Sequence, residues 1–226
     1  MKKIFILFIL TLVSTAISAE SFPIPKNNIA TFDIIRKNKV IGFHEIKFNK
    51  KGENLTVETT INIEVKVLFI PAYKFTHKSK EYWIDEDFIK IDAHTDFEDE
   101  REYFITGAEN EDSFIATGMD GEVTINKSIL PSNFWNIKVL DEEKLFDTQK
   151  GIIRSINVNK LGNETIEINK TKYNTKKYTL NASSNPKDKG PFPEYTLWYS
   201  EENELLKFKF KNWKDKKIVT IVRNDI

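Results

Sequence analysis

LTVETTINIEVKV, residues 55–67, decides the fold. Leu55, Val57, Thr59, Ile61, Ile63, Val65 and Val67 fall on one side of an extended chain. Thr56, Glu58, Thr60, Asn62, Glu64 and Lys66 fall on the other. Period-two alternation of this kind marks an antiparallel strand with one face on a core and one in water. The pattern extends both ways. TFDIIR and VIGFHEIKF flank Lys37-Asn38, and Asn tolerates the positive φ of a tight hairpin. Downstream come YKFTHKSKEYWI, FIKIDAHTDF, REYFITG, SFIATG and EVTIN, with Met119-Asp120-Gly121 as a turn. Residues 131–150 break the alternation, and Ser132 is placed to cap one or two helical turns. Strands then resume with IIRSINVNKL, ETIEI, KKYTLNA, EYTLWYS, LLKFKFKNW and KIVTIV.

The pattern predicts one all-β domain over 20–226, either an antiparallel, strongly curved sheet or an open β-barrel. Its hairpins follow one another up and down, with a short helical insertion near 132–146. That insertion is either a connector between two sheets or a plug in one barrel. YWIDEDFIKI and LWYSEENELLKF share a Trp, an acidic turn and an apolar-Lys-apolar run, which places two hairpins in similar positions.

Composition narrows the setting. Hydrophobic residues are 40% of the 226, and 17 Phe supply an aromatic core. Lys+Arg and Asp+Glu both number 34, so no single-sign field points to nucleic acid. Lys2 and Lys3 precede the apolar run Ile4–Val13 and a string of small residues, the pattern of a secretory signal over 1–19 cleaved after Ala16 or Ala19. No later segment is apolar enough to span a membrane. There is no Cys, hence no disulfide, thiol nucleophile or acylation site. An exported domain without disulfides fits the bacterial periplasm better than a eukaryotic exterior.

Two of the three histidines lie in AYKFTHKSKEYWIDEDFIKIDAHTDF, residues 72–97. A turn at Asp85-Glu86-Asp87 pairs Ile84 with Phe88 and Trp83 with Ile89. It then puts Glu81 opposite Ile91, Ser79 opposite Ala93 and His77 opposite Thr95 on one face. Lys80–Asp92 and Lys78–His94 fall on the other. His77 therefore faces in and His94 faces out. The same exercise sets His44 opposite Thr59, Asp33 opposite Gly42 and diagonal to His44, His77 near Val65, and Glu81 near Ile61. His44 and His77 would then lie roughly 20 Å apart.

Asp33, His44, Thr59, His77, Glu81 and Thr95 are thus polar intruders on an apolar face. Buried ionisable groups are costly unless paired. They either satisfy one another in a partly wet shell, or orient the head of a lipid or other apolar small molecule. In the alternative of a structural or interaction module, the shell is filled by its own Phe and Trp. A hydrolase or metal enzyme using His44 with Asp33 or Glu81 is a third reading, but no catalytic, metal-ligating or cofactor-binding motif accompanies it. FKFKNWKDKK mixes basic and aromatic residues as single-strand binders do. Its alternation reads more simply as a Lys-protected outer face.

VIGFHEIKF, VKVLFIPAYKFTHKSKEYW, AHTDF, SNFWN, LFDTQKG and LWYSEENELLKFKF, in that order, resemble a group of bacterial secreted proteins, domain-of-unknown-function family 6134. That group is similar to domain-of-unknown-function family 3108 of periplasmic β-proteins. The resemblance covers roughly residues 30–223. It implies secretion and an all-β fold, and brings no established activity and no catalytic residues.

Overall fold

The computed structural model describes residues 22–67, 70–97, 101–188 and 191–226. The leader over 1–19 lies outside the described residues. Among the described residues fifteen strands form one sheet: β1 (Ile29–Arg36), β2 (Lys39–Lys51), β3 (Asn54–Val67), β4 (Ile70–Ile84), β5 (Asp87–Asp96), β6 (Glu102–Asn110), β7 (Ser113–Gly118), β8 (Gly121–Asn126), β9 (Leu130–Pro131), β10 (Lys144–Asp147), β11 (Ile152–Ile168), β12 (Thr171–Ala182), β13 (Tyr195–Tyr199), β14 (Leu205–Lys211) and β15 (Ile218–Arg223). The spatial order is β8-β7-β6-β5-β4-β3-β2-β1-β15-β14-β13-β12-β11-β10-β9. Neighbours are antiparallel except β9 and β10, which run parallel. This is the up-and-down, unclosed barrel that the alternation predicts.

Sheet closure stops between β8 and β9. Across that gap the Met119 N–H donates to the Lys150 carbonyl at 2.7 Å. Gly118 and Gly151 let the backbones meet there: a Cβ on Gly118 would lie 2.5 Å from the Gly151 Cα.

Hairpin turns fix the register. Lys37 and Asn38 have φ of 51° and 58°, and Asp85 and Glu86 have φ of 49° and 73°. Both are two-residue turns whose positive φ values match the twist of the flanking strands. At the second, Trp83 pairs with Phe88 and Ile84 with Asp87, one residue off the expected tip. A bulge beyond Tyr82 absorbs the difference, so every expected pair from Thr76–Asp96 to Tyr82–Lys90 stands.

Three other expectations are corrected. Gly52, at φ 62°, takes the first turn position, so His44 pairs with Ile61 rather than Thr59. The slip is two residues and leaves every face unchanged. Pro71 is not in a turn: β4 begins at Ile70, and a bulge after Val65 accommodates the proline, so His77 pairs with Ile61 and Glu81 with Val57. In β1 a bulge after Ile34 pairs Phe32 with His44 and Asp33 with Phe43. That one-residue slip turns Asp33 to the outer face, where its Oδ1 accepts from Asn224 Nδ2 at 2.7 Å.

The core fills the concave side, with Phe32, Val57, Ile91, Phe114, Leu145, Phe146, Leu180 and Tyr199 fully buried. Ile61 and Ile63 face in but are only half-buried, so they mark the shell's more open end. Residues 132–141 form a plug in this interior. Its helical part is one short 3-10 turn, Ile137–Asp141, capped by Asn136, whose side chain accepts from the Lys138 N–H at 3.1 Å. Ser132 does not cap it; its Oγ accepts from the Thr148 N–H at 3.2 Å. Trp135 packs edge-on against Phe22, Phe48 and Trp83 at 5.2–5.4 Å. Tyr199 Oη donates to the Phe134 carbonyl at 2.8 Å.

The two Trp hairpins are not equivalent. Trp83 lies in the main core, whereas Trp198 packs on the outer face with Ile166, Ile168 and Leu206. Its neighbour Tyr199 takes the inward position.

Candidate functional site

Strand pairing assembles an inner polar belt. One row across the sheet reads Phe32, His44, Ile61, His77, Thr95, Tyr103, each residue paired with the next. The adjacent row reads Ala30, Ile46, Thr59, Ser79, Ala93, Ile105. Thr59 is directly opposite Ser79 and diagonal to both histidines, within reach of their side chains. His44 and His77 flank Ile61 from its two sides, so their backbones are roughly 10 Å apart at sheet spacing, half the separation expected.

All four side chains are buried: His44 4%, Thr59 2%, His77 0% and Ser79 5% exposed. His77 Nδ1 is 2.8 Å from Thr95 Oγ1. His44 Nδ1 and Nε2, His77 Nε2, Thr59 Oγ1 and Ser79 Oγ have no hydrogen-bond partner among the described residues. A buried polar atom left unpaired costs about 1–3 kcal/mol. Five together would cost about 5–15 kcal/mol, as much as the whole stability of an ordinary domain. The described residues supply no hydrogen-bonding partner for these five atoms.

Burial also sets the charge of the belt. It lowers His44 to about 4 and His77 to about 3, where the fields of His44 and His94 add to the effect. Both rings are neutral at physiological pH, so each offers one donor and one acceptor. His44 stacks on Phe32 at 5.3 Å and meets Phe208 edge-on at 6.0 Å.

Glu81 is buried but belongs to the plug. Its Oε2 accepts from Trp83 Nε1 at 3.0 Å and Trp135 Nε1 at 3.2 Å, and its Oε1 accepts from Asn133 Nδ2. Asn133 Oδ1 accepts in turn from Thr148 Oγ1 at 2.9 Å. Burial pushes the Glu81 carboxyl up to about 8, against the pull of the two indole N–H groups. With both oxygens engaged, Glu81 is no partner for His44, and Asp33 is on the other face. The hydrolase alternative therefore lacks its orienting carboxylate. His94 points outward, donating from Nε2 to Glu102 Oε1 at 2.8 Å and stacking on Phe104 at 4.4 Å.

Sequence reasoning missed three features. Alternation puts Ser79 on the inner face, but a serine there carries no signal of its own. Asn133 and Trp135 lie in the segment without periodicity, so no pattern tied them to Glu81. Arg154, 1% exposed, lies on β11 and forms a buried latch: Nε donates to Asp147 Oδ2 at 2.8 Å, and Nη1 and Nη2 donate to Asp188 at 2.8 and 3.1 Å. Among the described residues no cluster of three or more His, Asp or Glu is arranged to hold a metal ion, and no helix is long and apolar enough to cross a membrane.

A family model described as Domain of unknown function (DUF6134) matches residues 32–223. No curated protein matches the chain. Among solved structures it is similar to a beta-barrel-like protein of domain of unknown function DUF1849 from Brucella abortus, with 10% identity and a TM-score of 0.61 over 88% of this chain and 98% of that one. At that identity the likeness shows the fold alone.

Proposed function

This chain belongs to the DUF6134 family, and on that premise we propose that it is an exported envelope protein whose β-shell holds a small amphipathic ligand with an uncharged head. Export rests on the leader over 1–19, and its destination on this reading is the periplasm. The observation that carries ligand binding is the belt of five unpartnered buried polar atoms on His44, Thr59, His77 and Ser79. Neutral imidazoles beside hydroxyls suit a hydroxyl or amide head, which can both donate and accept. A carboxylate or phosphate would require a counter-charge that the belt does not supply. The half-buried Ile61 and Ile63, with Phe75 beside them, are the wall for the apolar body. Thr95 positions His77, and Glu81 holds the plug that closes the opposite end.

The test is native mass spectrometry of protein purified from envelope, followed by organic extraction. A retained lipid or other amphiphile is expected, and it should be lost in a His44→Phe, Thr59→Val double variant that keeps its melting temperature. Protein that never carries a small molecule, with only ordered water on the belt in a crystal structure, overturns the reading.

One observation favours a structural module instead. Near the plug, a cleft lined by Phe32, Ile46, Phe48, Trp135, Glu204 and Arg223 holds about 10 Å³, room for no more than one water. In that reading the belt is a hydrated seam between plug and open end.

A further inference from the structure

The tips of two hairpins, β1–β2 and β14–β15, lie side by side at the open end of the shell. Arg36 at the first tip is ion-paired with Asp215 at the second, and Arg36 pairs with Val219 across the strands. These tips carry Lys37, Lys39, Lys211, Lys214, Lys216 and Lys217, all exposed. Six lysines thus stand beside two carboxylates: Asp215, which Arg36 already engages, and Glu194, which lines the same surface pocket as Lys211 and Lys216. The whole chain is balanced at 34 against 34, so the excess is local.

Large apolar side chains stand among these cations: Val40 is 61% exposed, Ile218 47% and Trp213 44%. Beside Trp213 a surface pocket of about 210 Å³ is walled by Pro191, Phe192, Pro193 and Phe210, with Lys211 and Lys216 at its rim. Alternation accounts for Lys207 and Lys209 as cover for the sheet. It does not account for the tip, where Trp213 and five loop residues leave the strands.

We propose that this end of the molecule docks on an anionic lipid surface, with the lysines against the headgroups and Trp213, Val40 and Ile218 at the boundary with the acyl chains. Charge complementarity selects the partner. A polybasic patch within a Debye length of anionic lipid is attracted additively, lysine by lysine. An exposed Trp among lysines has an apolar body and a polar N–H suited to the headgroup level. A soluble polyanion would use the lysines but leave the aliphatic pair Val40 and Ile218 in water. The surface stands on its own, whether or not the interior takes a ligand.

The chain from Glu20 onward contains all fifteen strands and is the protein to test. It should co-sediment with phosphatidylcholine vesicles doped with phosphatidylglycerol and release in high salt, and it should ignore phosphatidylcholine alone. Reversing Lys211, Lys214, Lys216 and Lys217 to Glu should lower the affinity at least about tenfold. Trp213→Ala should also weaken binding and remove a blue shift of the tryptophan emission, because Trp83, Trp135 and Trp198 are buried. Melting temperatures should be unchanged, since the substituted side chains are exposed. No binding to doped vesicles overturns the proposal, as does equal binding to neutral ones. Tight binding to a soluble polyanion with no vesicle binding reassigns the patch to that class of partner.

Discussion

His44 and His77 sit on opposite sides of one residue, Ile61, on the inner face of three successive strands. Among the described residues no third His, Asp or Glu joins them in a cluster that could hold a metal ion. Both must be neutral to remain buried.

Acid should therefore unfold the belt first. Folded pKa values of about 4 and about 3 lie below the unfolded 6.5. The native state holds fewer protons in that window, so stability is full above pH 6.5 and falls as pH drops through 4 and 3. The slope approaches about 1.4 kcal/mol per pH unit for each histidine. His44→Phe, which keeps the stack on Phe32, should flatten the acid limb of a denaturation-midpoint profile. A profile identical to the parent's would mean that water already solvates His44.

Glu81 runs the other way. Its folded value of about 8 lies above the unfolded 4.5, so its contribution is complete below pH 4.5 and is lost as pH rises through 8. Glu81→Gln should abolish this alkaline decline. It also sets an amide N–H₂ against three N–H donors, at a cost of about 1–3 kcal/mol. Thermal melts between neutral and alkaline pH compare the slopes.

Trp135→Ala removes the centre of the plug and leaves a void among Phe22, Phe48 and Trp83. Losses for such truncations are about 3–5 kcal/mol. Chemical denaturation measures the loss, and an apolar dye should enter the vacated space. If stability is unchanged, the plug does not support the shell.

Asp188 is held down to about 2 by Arg154 and Lys150, in spite of its burial. Asp188→Asn leaves the Arg154 guanidinium with Asp147 as its remaining carboxylate partner, and breaking a buried pair costs about 3–5 kcal/mol. Limited proteolysis between Ser183 and Pro191 should accelerate in the variant. Parent-like cleavage would show that the latch does not hold that loop.

Much of this architecture is legible in the alternation. Period two marks the strands, and face assignment survives even-numbered slips. For that reason His44, Thr59, His77 and Thr95 fall on the inner face although the expected pairings of His44 and His77 were two and four residues off. Asp33 was lost to a single bulge, because a one-residue slip inverts a strand and nothing local in TFDIIRKNKV announces it. Pro71 misled because proline is normally excluded from strands, and the bulge that admits it depends on the partner strand. Glu81's partners were illegible for another reason: Asn133 and Trp135 come from a segment with no period, more than fifty residues away. The Lys–Trp tip reads as surface by composition, and only the register of β1 with β15 sets the second basic tip beside it.

The open seam lies between two strands that are consecutive in the chain, while the first and last strands pair. Thr31 reaches Asn224 and Asp225, so the natural ends of the sheet are neighbours. Starting at β9, passing from β15 to β1 and ending at β8, the spatial order becomes strictly sequential. Apart from the parallel pair β9 and β10, the sheet is thus a circular permutation of a simple meander. Joining its ends and reopening the chain at Lys127–Ile129 would make every strand pair local. Among the described strand pairings, that of β1 with β15 is the one that must wait for nearly the whole polypeptide, and abolishing that wait should speed folding.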